Sequence, residues 1–93
     1  MARSEAEAIA LAAFAYVAED VELARRFLAL SGMEPGQLRQ AAADPSFLAG
    51  VLDFVVAHEP VLIALAARTD RPAAEIETAQ RLLAGEGDGW GPA

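Results

Sequence analysis

Large apolar residues recur along the chain mostly three to five positions apart, in blocks separated by Gly, Pro and Asp. Ile9, Phe14 and Val17 form one block, Leu23, Phe27 and Leu30 a second, and Phe47, Leu48, Val51, Leu52 and Val55 a third. That spacing places each set on one side of an α-helix, and no convincing stretch alternates with the period of two that a half-buried strand requires. Start and stop signals frame the blocks. Ser4 followed by Glu7 has the form of a capping box, predicting a first helix from there to about Ala18. Asp20 can cap a second helix, and Gly32 falls where a left-handed closing residue is wanted. Pro35, Pro45, Pro60 and Pro72 each stand where a first helical turn loses nothing by the missing N–H, so four of about six helices open on Pro. The fourth, roughly Pro45 to Ala57, is apolar over more than half its circumference and is expected to be the central helix. The fifth, about Pro60 to Arg68, points Val61, Leu62, Ile63 and Leu65 in different directions, more faces than a small monomer easily covers.

The breaks also recur. Residues 4–43 and 42–81 match in register, with Val17 on Val55, Ala29 on Ala67, Ala41 on Ala79, and apolar pairs such as Ile9/Phe47, Tyr16/Phe54 and Leu38/Ile76. The pattern predicts an all-α, compact orthogonal bundle of about six short helices in two pseudo-repeated three-helix halves. A chain of 93 residues supports one core, so residues 1–84 are expected to form a single helical domain. Residues 85–93 are too rich in Gly to hold regular structure and are expected to be a disordered acidic tail carrying the lone Trp90.

Composition changes this picture in two ways. The apolar fraction is 55%, but 23 residues are Ala, which favours helix and buries little area. The core is therefore assigned to Ile9, Phe14, Val17, Leu23, Phe27, Leu30, Leu38, Phe47, Leu48, Val51, Leu52, Val55, Leu62, Leu65, Ile76 and Leu82. The net charge is −7, from 14 acids against 7 basic residues that are all Arg, which disfavours undirected attraction to phosphates or anionic lipid. With no Cys, an N-terminus acidic within seven residues and a longest uncharged stretch, Ala8 to Ala18, about half the ~20 residues of a membrane span, the expectation is a cytoplasmic protein without targeting or spanning segments.

Phe27-Leu28-Ala29-Leu30-Ser31-Gly32, the following Met33-Glu34-Pro35, and the block Asp44-Pro45-Ser46-Phe47-Leu48 through Val51-Leu52-Asp53-Phe54 resemble an uncharacterised family of short alphaproteobacterial all-helical proteins, a domain of unknown function. The resemblance covers roughly residues 5–84. It implies a small cytoplasmic helical protein with no assigned activity, and it carries over no functional residues.

Candidate chemistry is sparse. His58 beside Glu59 could form an acid–base pair, but an imidazole at a helix C-terminus is better read as meeting terminal carbonyls, with Glu59 capping the next helix. One His, no Cys and dispersed carboxylates give no metal-ligand set, and no Gly-rich loop between a strand and a helix offers a nucleotide cradle, so no catalytic, cofactor or metal residues are assigned. Arg25 and Arg26 are read as surface charge, Arg26 paired with Glu22. Residues 61–83 resemble a helix-turn-helix whose nucleic-acid face would be Arg68, Arg71 and Arg81, but Glu75 and Glu77 would repel phosphates there. Surplus apolar surface without polar chemistry favours a non-enzymatic protein-interaction or accessory domain, with Leu11, Tyr16 and Ile63 as its candidate surface and Phe54 as an alternative centre. The expected partner is another protein or a second copy. Nucleic acid is the alternative, and no membrane, small-molecule substrate or cofactor is expected.

Overall fold

The computed structural model describes residues 1–41 and 43–87, and at Pro35, Leu38, Arg39, Glu86 and Gly87 the backbone alone. The described residues form five helices of 11 to 17 residues: α1 (Arg3–Glu19), α2 (Val21–Ser31), α4 (Pro45–Ala57), α5 (Glu59–Thr69) and α6 (Ala73–Gly87). Between α2 and α4 lies a 3-10 turn, Pro35–Gln37, running into the single turn α3 (Leu38–Ala41). No strand occurs among the described residues.

The local signals explain most boundaries. Asp20 accepts from the N–H groups of Glu22 and Leu23 and starts α2, and Gly32, at φ 72°, ends it. Asp44 accepts from Ser46 N–H ahead of Pro45, which opens α4. Other signals lose to competing contacts. Ser4 lies inside α1, whose N-cap is Ala2 with no side-chain bond, and Glu7 pairs with Arg3 at 3.3 Å rather than closing a capping box. Glu59 does not cap α5 but is its first residue, because the chain turns at His58, whose carbonyl receives Val61 and Leu62. Among the described residues, Arg26 meets no carboxylate at ion-pair distance, so the expected pair with Glu22 is not formed.

The core is the three-way contact of α1, α4 and α6, with α2 laid on α1 and α5 against α4 and α6. Val51, Leu52, Val55, Leu65, Ile76 and Leu83 are sealed at its centre. Most of the assigned core is there, with three kinds of difference. Five Ala, at 6, 10, 13, 49 and 79, are buried as well, because small side chains let α1, α4 and α6 approach closely where they cross. Phe54, Val61 and Leu83 are also buried, while Phe14, Leu23, Phe47 and Leu82 only pack against the core from its margin. Leu30, expected inside, is 66% exposed, and the Leu38 side chain lies outside what is described.

The two-half repeat does not form. Its third pair of elements would be α3 and α6, yet α3 is one turn that packs on the 3-10 turn before it, whereas α6 is 15 residues long and central. Matched punctuation gave the halves equal breaks but not equal burial: Ala79 of α6 is sealed in the core, whereas its match Ala41 in α3 is only half-buried. The helix α6 also continues past the expected end at Ala84 to Gly87. Residues 88–93, including Trp90, lie outside the described residues. No single helix among the described residues is long and apolar enough to cross a membrane, and the apolar pair α4 and α5 is bent by 110° at its junction.

Candidate functional site

A groove of about 360 Å³ runs between α2 and α4, and it follows from how the two helices are placed. Closed by Gly32 and capped by Asp20, α2 rests on α1 and reaches α4 through Phe27, which is 5% exposed. The Phe27 ring stands edge-on to Phe47 at 5.7 Å and to Phe54 at 5.4 Å, and Phe47 is in turn edge-on to Phe14 of α1 at 5.5 Å. Such T-shaped contacts pair the positive edge of one ring with the negative face of another and fix the rings more firmly than area alone. They make a rigid apolar floor. Above it α2 contributes Leu30 and Ser31, and α4 contributes Gly50, Asp53 and Ala57, with His58 at the end.

Gly50 lines the groove from α4. It sits inside the most apolar helix, where Gly costs about 1 kcal/mol relative to Ala. A Cβ built there would meet nothing within 4 Å, so neither close packing nor backbone conformation demands the glycine.

The polar groups at the rim are mostly engaged. The Asp53 carboxylate accepts from the Gln80 side-chain amide at 2.6 Å, tying the rim to α6. The Ser31 hydroxyl donates to the Leu28 carbonyl at 3.4 Å and accepts from Met33 N–H at 3.3 Å. His58 lies over Phe54 with ring centroids 4.5 Å apart, and its Nδ1 is 2.7 Å from the Phe54 carbonyl. A carbonyl only accepts, so Nδ1 carries the proton and Nε2 of the neutral ring is left as an acceptor. This is the helix-end role read from the sequence. Apolar floor, engaged hydroxyl and single carboxylate together suit binding of an apolar group flanked by a hydrogen-bond donor or cation.

Of the residues singled out from the sequence, Phe54 lines the groove, while Leu11, Tyr16, Ile63, Arg68, Arg71 and Arg81 do not. Leu11 and Ile63 are 46% and 58% exposed, while Tyr16 is half-buried beneath the Arg68 guanidinium, 5.5 Å from its ring centre. Arg68 is also held by Glu19 at 2.6 Å, and that hydrogen bond, then the carboxylate's charge, raises its pKa above the ordinary guanidinium value. Arg71 bridges Glu5 of α1 at 3.0 Å and Glu75 of α6 at 3.1 Å, and those bonds raise its pKa likewise. Arg81 donates to Thr78 on its own helix at 3.4 Å. The three Arg thus do not gather into a face free of acids. Among the described residues, no three His, Asp or Glu side chains are placed to hold a metal ion.

Five helices, three of them meeting in the core, with an aromatic groove and no strand among the described residues, define a small all-helical domain. The chain belongs to a family of proteins of unknown function, DUF3572, whose model matches residues 3–86. No curated protein and no solved structure matches it.

Proposed function

We propose that the chain is a small, cytoplasmic, non-enzymatic protein-interaction or accessory domain that binds through the groove between α2 and α4. The observation that carries this reading is an open apolar groove between α2 and α4, of the size that ligand and side-chain pockets have, lined by a glycine with open space beside it that no packing requires. Exposed Leu11, Val21, Leu30 and Ile63 add apolar surface around the molecule. The helix-turn-helix alternative over residues 61–83 has less support, because Glu19, Glu5 and Glu75 occupy two of its three guanidiniums.

Gly50→Leu fills the groove without removing a contact, which makes it the control for the test. Affinity purification from an alphaproteobacterial host, the setting the family resemblance implies, should recover with the wild-type chain a protein, or a second copy of the chain, that the folded Gly50→Leu variant fails to retain. Identical recovery by both chains would overturn the groove as the binding site.

A further inference from the structure

We infer that the occupant of the groove is helix α2 of a second copy of the chain, so that two copies pair face to face about a two-fold axis. This rests on the interaction-domain reading above and names the partner. The same face carries both halves of the fit. Leu30 stands at the lip of the groove, 66% exposed, while Gly50, near the middle of α4, leaves an apolar gap. A knob and a hole on one surface are what a self-complementary interface needs, since residue i then meets residue j twice.

Charge sets the register. Arg26 lies one turn before Leu30 on the same side of α2, and it meets no carboxylate among the described residues. Asp53 lies one turn after Gly50, at the groove's rim. When α2 of one copy lies antiparallel to α4 of the other with Leu30 over Gly50, one turn back along α2 is one turn forward along α4, and Arg26 arrives at Asp53. Shifting the helix by a turn would lose the knob and the ion pair together. A chain of net charge −7 opposes undirected self-association, so a pairing that places Arg26, which meets no carboxylate among the described residues, against Asp53 is specific rather than adhesive.

The test is sedimentation of the full chain from low micromolar to near-millimolar concentration, with variants at exposed or half-buried positions outside the core. The wild type should show a reversible monomer–dimer equilibrium. Leu30→Asp and Gly50→Leu should abolish it, Arg26→Glu or Asp53→Arg alone should weaken it at least several-fold, and the double variant Arg26→Glu with Asp53→Arg should recover much of the loss. Ile63→Asp, at an exposed apolar position on α5 that does not line the groove, should leave it unchanged. A wild-type chain that stays monomeric throughout overturns the inference, and so does a dimer abolished by Ile63→Asp but not by Leu30→Asp. A synthetic basic amphipathic peptide separates this failure from that of the broader reading. If the monomeric chain binds the peptide with amide shifts at Phe27, Gly50 and Asp53, the groove is a binding site with a different occupant; if no such shifts occur, the groove reading falls as well.

Discussion

Leu52 and Gly50 stand two positions apart on α4, and substitution at each is expected to move stability in opposite directions. Leu52 is fully buried where α4 meets the other core helices, so Leu52→Ala leaves a cavity and should lower unfolding free energy by about 2–5 kcal/mol, read from chemical denaturation. Gly50 has open space where a Cβ would go, so Gly50→Ala should raise stability by ~0.5–1 kcal/mol through backbone entropy alone. A neutral or destabilising result there would mean that the helix needs the glycine, and the groove would lose its main support. At this scale the sequence was most misleading about Ala. Periodicity marked Val51, Leu52 and Val55 correctly, yet counting area discounted Ala6, Ala10, Ala13, Ala49 and Ala79, whose value is closeness rather than area. Leu30 erred the other way, because it continues the spacing of Leu23 and Phe27 but lies beyond the edge of the surface that α2 covers.

Among the elements, short-range polar signals were reliable where the side chain had nothing better to bind. Asp20, Gly32 and Asp44 act where their types predict, while Glu7 is drawn to Arg3 and leaves Ser4 without a reciprocal partner. The turn from α5 to α6 uses Asp70 at φ 55° in the left-handed region, with Arg71 N–H bonding back to the Ala66 carbonyl at 3.0 Å. An L-residue pays a steric cost there that Gly avoids, though Gly gives back part of it in the unfolded chain. Asp70→Gly should therefore raise stability by about 0.5–1 kcal/mol in a thermal melt, and a lower midpoint would show that the Asp70 carboxylate supports the turn. The apparent repeat is the element-scale failure. Register of Gly and Pro fixes where helices can begin, but which helix enters the core depends on pairings between distant segments, and α3 and α6 resolve that differently.

For the molecule as a whole, the groove was invisible in the sequence because its walls come from helices on either side of the 35–41 turn, and only their placement by α1 brings Phe27 between Phe47 and Phe54. One signal was present: an isolated Gly inside an apolar helical pattern, which asks for a packing or functional reason. The charge distribution supports a prediction at the same scale. The ion pairs Arg3–Glu7, Arg68–Glu19 and Arg71 with Glu5 and Glu75 are all partly or largely exposed, and pairs of that kind contribute from nothing to about 1 kcal/mol each. Against them stands the mutual repulsion of a surplus of seven negative charges on 93 residues, which acts on the compact state more than on the extended one. Screening weakens both, but the repulsion is summed over many pairs at long range, where added salt acts most strongly. Raising sodium chloride from very low levels to about 0.15 M, where the Debye length is ~8 Å, should therefore raise the melting temperature by a few degrees. The measurement belongs at low micromolar protein, so that dimerisation does not shift the midpoint by mass action. A midpoint that falls with salt would mean that the ties from Arg68 and Arg71 to α1 outweigh the repulsion, and then Arg71→Gln, which cuts the bridge between Glu5 and Glu75 but leaves Arg68–Glu19, should reduce that salt dependence.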